Sequence, residues 1–209
     1  MTPLPTDALI VIDPQNDFCP GGALAVGDGD AIMPGIATLA ARFAHVVITQ
    51  DWHPAGHSSF ASSHPGAVPF STTMMPYGEQ LLWPDHCVQG SHGAAFHPGI
   101  ARAIDHAQMI LRKGGNPAID SYSAFRENDR STATGLAGFL RDTGVTRCVL
   151  VGLAYDFCVG WSALDAVAHG FEAVVVKDLS RAIGMPIADG RTTLDDIEDR
   201  FAAAGVTIA

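Results

Sequence analysis

The apolar residues of this chain form short continuous runs rather than alternating patterns. Five runs are predicted to be strands, at residues 8–13, 45–51, 107–114, 146–152 and 171–178, and a short sixth run lies at 205–209. Most of them contain several β-branched residues. Such runs are typical of strands in a parallel sheet that is covered on both faces.

Segments with helical spacing separate these runs. They lie at residues 30–43, 131–141, 158–169 and 193–204. In the last of them, Asp195 and Asp196 suit the first turn of a helix. Strands that alternate with helices predict a doubly wound α/β fold, with a mainly parallel sheet of about six strands and helices on both faces. The length of 209 residues predicts one domain over 1–209.

The segment from about residue 51 to residue 106 breaks this alternation. It contains six of the prolines and seven of the nine histidines, and it is far longer than an ordinary connection between a strand and a helix. A long irregular segment within a domain is either functional or a sign of misassigned elements, and the histidines favour a function. We expect an insertion that binds a metal ion and the substrate.

Composition narrows the classes of partner and compartment. The net charge of −10 argues against a broad surface for nucleic acid or for anionic lipid. No apolar run approaches the ~20 residues that span a bilayer, and the N-terminus lacks the features of a secretory signal. The four cysteines form no CxxC pair, so we expect a cytoplasmic protein. A small-molecule substrate is the expected partner, and the oligomeric state stays open, a homo-oligomer included.

Three polar residues are predicted to meet beyond the carboxyl ends of the strands. Asp13 and Lys113 end two predicted strands, and Cys158 follows a third, at the predicted start of a helix. Open α/β sheets bind ligands at this edge. Asp13 is suited to take the thiol proton, Lys113 to favour the thiolate, and Cys158 to attack a carbonyl carbon. A helix N-terminus at the cysteine would further lower the thiol pKa.

Each of these residues also has a simpler interpretation. Asp13 precedes Pro14 and suits an Asx turn, and Lys113 suits a solvated strand end. Cys158 alone is compatible with a buried core cysteine, as Cys148 inside its strand is. The catalytic interpretation depends on the joint placement of the three residues.

A metal site is predicted in the same region. Asp51 and His53 are two residues apart, so in an extended segment their side chains point the same way. One aspartate and two histidines would leave positions open for water or substrate, which suits zinc, iron or manganese. His57 and His86 are both candidates for the third ligand. The remaining histidines of the insertion's loops are interpreted as surface residues: His64, His92 and His97.

Five stretches carry a resemblance to a known family. They are VIDPQNDFCPGGALAV, TQDWHPAGHSSF, WPDHCVQGSHGAAFHP, RKGGNPAIDSYSAF and VGLAYDFCVGWSALDA. Their types and order resemble the nicotinamidase branch of the isochorismatase-like cysteine hydrolases, over nearly the whole chain.

The resemblance implies a set of site residues. The implied catalytic triad is Asp13, Lys113 and Cys158, and the implied metal ligands are Asp51, His53 and His86, with His57 beside the site. The implied substrate contacts are Phe18, Trp83 and Tyr122.

The resemblance further implies a cis peptide bond at Leu153–Ala154. The N–H groups of Ala154 and Cys158 would then stabilise the oxyanion. One departure from the family is Tyr155, where small or aliphatic residues are frequent; it bears on substrate preference and not on the chemistry.

The implied reaction is hydrolysis of nicotinamide to nicotinate and ammonia through a thioester, in the salvage of NAD. Pyrazinamide is the implied second substrate. The implied cofactor is one divalent metal ion that holds the ring nitrogen, with zinc expected and iron or manganese as alternatives.

Two other functions remain as alternatives, and two more are excluded by single residues. Another amidohydrolase of this superfamily would act on N-carbamoyl or ureido compounds, but the metal motif and the aromatic pair favour a ring substrate. A non-catalytic metal-binding α/β module would leave Asp13, Lys113 and Cys158 without a reason to share one edge. Isochorismatases proper lack the cysteine. A cysteine phosphatase would need an arginine where Leu164 stands.

Overall fold

Eight strands are present in the computed structural model, which describes residues 2–209. They are β1 (Asp7–Ile12), β2 (His45–Asp51), β3 (Thr72–Met75), β4 (Gly78–Leu81), β5 (Met109–Lys113), β6 (Arg147–Leu153), β7 (Glu172–Arg181) and β8 (Thr207–Ile208). Six of them form one sheet in the order β5-β2-β1-β6-β7-β8, and every neighbouring pair is parallel. The other two, β3 and β4, form an antiparallel hairpin.

Five α-helices accompany the sheet. They are α1 (Met33–Ala40), α2 (Ala101–His106), α3 (Leu136–Asp142), α4 (Gly160–Ala168) and α5 (Thr193–Ala204). The predicted doubly wound α/β fold is confirmed. The sheet was predicted to be mainly parallel with about six strands, and that is what the structure contains.

Three predicted helices begin later than expected, and the one predicted at 30–43 is the shorter helix Met33–Ala40. The helix predicted from residue 131 begins at Leu136, because the carboxylate of Asp129 accepts hydrogen bonds from the N–H groups of Ser131 and Thr132 and holds a turn there. The helix predicted from residue 158 begins at Gly160, because Tyr155–Val159 form one turn of π-helix. The helix at 193–204 has the predicted ends.

The sheet is buried on both faces, which explains the continuous apolar runs. In β1, Leu9 and Val11 pack into one core with Ile36 of α1. Ile10, the residue between them, packs on the opposite face with Phe201 of α5. Because both faces need apolar side chains, the strands lack the alternation of a half-exposed sheet.

The chain reverses its direction of winding between β1 and β6. From β1 it proceeds to β2 and β5 on one side, and then returns to β6, β7 and β8 on the other. A crevice forms at such a switch point, beyond the carboxyl ends of the strands. Asp13 follows β1 there, and Asp51 of β2 pairs in register with Lys113 of β5.

The segment between β2 and β5 folds back over this crevice. The side-chain amide of Gln15 donates to the carbonyl groups of Asp51 (2.8 Å) and Ala94 (2.9 Å), and so joins β2 to the insertion. The carboxylate of Asp17 accepts the N–H of Cys87 at 2.7 Å. The insertion is therefore an ordered cover of the strand ends. Within residues 2–209, no helix has the length and apolar character needed to cross a membrane.

Candidate active site

The ammonium group of Lys113 is the centre of the site. Its Nζ lies 2.8 Å from Asp13 Oδ2, 3.1 Å from Asp51 Oδ1 and 3.4 Å from Cys158 Sγ. It also donates to the carbonyl of Ser121 at 3.0 Å. Four neighbouring parallel strands bring the charged groups and the thiol together. β5 ends at Lys113, β2 ends at Asp51, β1 ends one residue before Asp13, and β6 leads to Cys158. The three residues predicted at the strand ends are brought together.

Asp13 is fully buried and has one oxygen without a well-aligned donor. Thr49 Oγ1 donates to Oδ1 at 2.6 Å, whereas Oδ2 faces the ammonium of Lys113 and accepts no well-aligned hydrogen bond from residues 2–209. Burial raises the pKa of Asp13, and the charge of Asp51 adds to this, while Lys113 opposes it. A carboxylate with a raised pKa and a free lone pair is a suitable general base.

Cys158 lies within the π-helical turn, two residues before α4 begins. Burial raises its pKa well above the ordinary value of a thiol; Lys113 opposes this, and the charges of Asp13 and Asp51 add to it. The expectation that a helix N-terminus lowers this pKa is therefore wrong. The resting group is a thiol, so attack requires that a base remove its proton.

The predicted metal ligands face one another beside Lys113. Asp51 Oδ2 lies 3.0 Å from His53 Nε2 and 3.3 Å from His86 Nε2, and all three side chains are buried. Burial would raise the pKa of Asp51, but the positive charges of His53 and Lys113 hold it well below its usual value. Asp51 is therefore an ionised carboxylate.

The hydrogen bonds of the two histidines show that this set suits a cation. Nδ1 of His53 lies 3.0 Å from the carbonyl of Gly114, and Nδ1 of His86 lies 2.8 Å from that of Pro84. A carbonyl only accepts, so each Nδ1 carries a proton, and each Nε2 faces Asp51. These three atoms need a positive group between them, which is either protons on the two Nε2 atoms or a cation that takes their place. The residues present fit a divalent ion.

His57 is close to this set but its two ring nitrogens are engaged elsewhere. Nε2 lies 2.7 Å from the carbonyl of Asn116, and Nδ1 lies 2.8 Å from Ser59 Oγ. Its ring centre is 4.4 Å from that of His53. His57 is therefore a neighbour of the metal site that supports His53 by packing, and His86 is the better candidate for the third ligand.

A narrow pocket of about 20 Å³ opens onto Cys158. The three predicted substrate contacts line it: Phe18, Trp83 and Tyr122. Trp83 Nε1 donates to Tyr122 Oη at 3.2 Å, so two of the aromatic walls are fixed to each other. Asp51 and His86 also line the pocket, so the candidate metal site and the nucleophile share one cavity.

The backbone at the nucleophile contains the expected cis peptide bond at Leu153–Ala154. Ala154 lines the pocket together with Cys158. Tyr155 points to the opposite side of the turn, where it packs against Phe201 and donates to Glu198 at 3.1 Å. It is not among the residues that line the pocket.

Comparison with known proteins agrees with this geometry. The model of the isochorismatase domain matches residues 7–203. The chain belongs to the isochorismatase family. Within that family, a nicotinamidase of Acinetobacter baylyi is 53% identical over 178 residues, which cover 85% of this chain and 82% of that protein.

Solved structures of family members superpose over almost the whole chain. A nicotinamidase/pyrazinamidase of Acinetobacter baumannii has a TM-score of 0.93 at 48% identity, covering 98% of this chain and 96% of that one. An L. infantum protein in complex with nicotinate has a TM-score of 0.81 at 39% identity, covering 98% and 92%. A Pyrococcus horikoshii pyrazinamidase in complex with zinc has a TM-score of 0.76 at 34% identity, covering 98% and 99%.

Several pocket residues of this family member were missed by sequence reasoning. They are Leu24, Asp120, Ser121, Phe157 and Ile183. Leu24, Asp120, Ser121 and Phe157 stand inside the five quoted stretches, so their positions were a usable signal. Ile183 comes from the connection between β7 and α5, whose path depends on tertiary contacts, and the local sequence carries no sign of its role.

Proposed function

We propose that this chain hydrolyses nicotinamide to nicotinate and ammonia, with Cys158 as the nucleophile. The observation that carries the proposal is the position of the Lys113 ammonium, which lies within 3.4 Å of Cys158 and also contacts Asp13 and the metal-ligand candidate Asp51. The nucleophile and two of the candidate metal ligands, Asp51 and His86, line the same pocket, and Lys113 connects Cys158 and Asp51 to the base Asp13. The relatives named nicotinamidase support the choice of substrate.

The first step is proton transfer from the Cys158 thiol to Asp13. The raised pKa of Asp13, caused by burial, brings it closer to that of a thiol than an exposed carboxylate would be. Lys113 stays protonated, because Asp13 and Asp51 hold its pKa well above the ordinary value although burial lowers it. Its charge stabilises the thiolate as the proton leaves.

The thiolate then attacks the carboxamide carbon and forms a C–S bond. The negative charge moves to the amide oxygen, to which the N–H groups of Ala154 and Cys158 would donate. One such donor is typically worth about 10²–10³ in rate. Asp13 returns the proton to the departing nitrogen, the C–N bond breaks, and ammonia leaves a nicotinoyl thioester on Cys158.

Water completes the reaction. Asp13, again ionised, takes a proton from the attacking water, the C–S bond breaks, and the sulfur leaves as thiolate. The nicotinic acid formed gives its carboxyl proton to ammonia or to solvent and departs as nicotinate, and the proton held by Asp13 returns to Cys158. The same base therefore acts in both halves of the cycle.

Asp51, His53 and His86 would hold a divalent metal ion, and zinc is the proposed ion because a zinc complex is known for the Pyrococcus horikoshii relative. When bound, the ion supplies a Lewis acid that fixes the ring nitrogen of the substrate. The aromatic side chains Phe18 and Trp83 border the ring. Fixing a substrate in this way is worth up to roughly 7–11 kcal/mol of barrier in well-oriented systems.

The test is ammonia release from a panel of amides, with metal content measured on the same sample. We expect turnover of nicotinamide and pyrazinamide, and no turnover of benzamide, which has the ring but lacks the ring nitrogen. Removal of the metal by chelation should abolish turnover, and zinc should restore it.

Preference for an N-carbamoyl amino acid over nicotinamide would contradict the proposal and favour the ureido-hydrolase alternative. Unchanged activity in a preparation that is verified to be free of metal would remove the ion from the mechanism. Metal binding without turnover of any amide would favour a non-catalytic binding module.

A further inference from the structure

Asp156 is a buried carboxylate that the proposed reaction does not use. It lies two residues before Cys158, is 4% exposed, and forms no ion pair within residues 2–209. Its oxygens instead accept the backbone N–H groups of Ile183 (2.9 Å) and Gly184 (2.8 Å) and the hydroxyl of Thr193. Hydrogen bonds to an ionised carboxylate are about twice as strong as those between neutral groups.

The three donors belong to one segment, residues 182–193, which joins β7 to α5. The ends of this segment are paired, because Thr193 N–H donates to the carbonyl of Met185 at 2.9 Å and Thr193 Oγ1 accepts the Met185 N–H at 3.0 Å. Ile187 N–H donates to the carbonyl of Arg191, also at 2.9 Å. The segment is thus a closed loop. Asp156 attaches its base to the π-helical turn Tyr155–Val159, which carries Cys158 and is called the nucleophile turn below.

Ile183 connects this attachment to the substrate. Its N–H is held by Asp156, and its side chain lines the pocket together with Cys158 and Leu24. Ile183 is a wall of the same pocket as the aromatic residues Phe18 and Trp83. A displacement of this wall therefore changes which ring substituents fit.

We propose that Asp156 is a positioning residue that holds segment 182–193 against the nucleophile turn, and that Ile183, placed in this way, limits the size of the aromatic amide that the site accepts. This inference rests on the proposed function. It adds a limit on the size of the substrate ring, and the catalytic residues do not set this limit.

An amide side chain cannot replace the carboxylate here. The Asp156 carboxylate accepts from three donors, whereas asparagine has one acceptor oxygen and an NH₂ group that would face a donor. At least one buried N–H would lose its partner, which typically costs about 1–3 kcal/mol. Asp156→Asn should therefore release the loop without changing the volume of the side chain.

The functional test compares two substrates, nicotinamide and the larger quinoline-3-carboxamide. The measured quantity is the ratio of their kcat/KM values. In Ile183→Ala this ratio should rise by about tenfold in favour of the larger amide, since a difference of one or a few methylenes is worth about 10–200-fold. Asp156→Asn should shift the ratio in the same direction, with the larger part of the change in KM.

Asp189→Asn is the matched control. It makes the same chemical change within the same loop, at an exposed side chain with a backbone φ of 61°, which asparagine tolerates. Its substrate ratio should stay within twofold of the wild type.

A second readout does not depend on activity. Arg191 lies in the loop and is a trypsin site, so release of the loop should accelerate selective cleavage after Arg191 in Asp156→Asn. Thr193→Val, which removes one of the three donors to Asp156 and also the acceptor of the Met185 N–H, should give an intermediate rate. Asp189→Asn should be cleaved at the wild-type rate.

Different experimental results would overturn the proposed function and the proposed role of Asp156. A wild-type protein that releases no ammonia from nicotinamide overturns the proposed function, while the trypsin comparison still tests the role of Asp156. An active wild type with an unchanged substrate ratio and an unchanged cleavage rate in Asp156→Asn overturns the inference. If that variant does not fold, wild-type cleavage of Thr193→Val and a wild-type ratio in Ile183→Ala overturn it instead.

Discussion

The absence of a side chain at Gly114 leaves room for the metal-ligand candidates His53 and Asp51. It follows Lys113 with a backbone φ of +68°, and a Cβ atom at this position would lie 2.5 Å from His53 Cε1 and 2.9 Å from Asp51 Oδ1. Its carbonyl group also accepts the Nδ1–H of His53 at 3.0 Å. Any side chain here would push the imidazole away from the position in which it faces Asp51.

Gly114→Ala is therefore expected to weaken metal binding. Displacement of a histidine ligand by its supporting residues typically costs about 10–100-fold in metal affinity. The measurement is zinc affinity by competition with a chelator, together with nicotinamide turnover at saturating zinc.

Gly144→Ala is the control for the backbone cost alone. Gly144 has a φ of +75°, and a Cβ atom there would have no neighbour within 4 Å. Both variants should lose about 1–2 kcal/mol of stability, but only Gly114→Ala should lose zinc. Equal zinc affinity in the two variants would show that the contact with His53 is unimportant.

At the scale of single residues, the sequence predicted which side chains form the site but not their protonation states. Asp13, Lys113 and Cys158 were found because parallel strands bring their carboxyl ends to one edge. The pKa of Cys158 was predicted in the wrong direction, because full burial and the carboxylates of Asp13 and Asp51 depend on tertiary structure. The role of Asp156 was missed, since its three donors are 27 to 37 residues away in the chain.

The paired strands β1 and β6 lead to Asp13 and Cys158, and an ion pair joins the opposite ends of these two strands. Asp7 and Arg147 are opposite each other in register. Arg147 donates from Nε to Asp7 Oδ1 at 2.9 Å and from a terminal nitrogen to Oδ2 at 2.6 Å, and the N–H of Leu4 donates to Oδ2 at 2.7 Å. Burial would raise the pKa of Asp7, but these hydrogen bonds and the charge of Arg147 lower it below its ordinary value.

Asp7→Asn should destabilise the fold in a manner that depends on pH. A carboxylate with a lowered pKa contributes its full stabilisation above the pKa of the unfolded chain, about 3.9, and loses it as the pH falls through the lower folded-state value. At pH 7 we expect a loss of about 1–3 kcal/mol. The difference from the wild type should shrink steadily below about pH 4.

Urea unfolding at a series of pH values from 7 to 3 measures this difference. The nicotinamide kcat/KM of the variant should equal that of the wild type, because Asp7 lies at the opposite end of β1 from Asp13. A difference in stability that stays constant over the whole series would contradict the assigned role of the ion pair.

At the scale of elements, the strands were predictable and several helix ends were not. The strand runs were recognisable because burial on both faces demands continuous apolar residues. The start of α3 was placed five residues too early, since the turn held by Asp129 has the composition of a helix start. The π-helical turn at 155–159 has no distinguishing sequence pattern of its own.

At the scale of the whole molecule, the site depends on the complete sheet and on the insertion together. Four neighbouring strands lead to Lys113, Asp51, Asp13 and Cys158, while the insertion supplies His53 and His86. No single motif specifies the site, which is why five ordered stretches were needed to recognise the family. The pocket wall contributed by Ile183, which lies outside these stretches, required the folded structure.

The most direct measurement is ammonia release from nicotinamide by the wild type and by Cys158→Ala, with zinc content and thermal unfolding recorded for both. The account predicts an active wild type and a folded, zinc-loaded variant whose rate is lower by at least about 10³-fold, because only the thiolate forms the covalent intermediate. Substantial turnover by the variant, or an inactive wild type that is folded and loaded with zinc, would contradict the account.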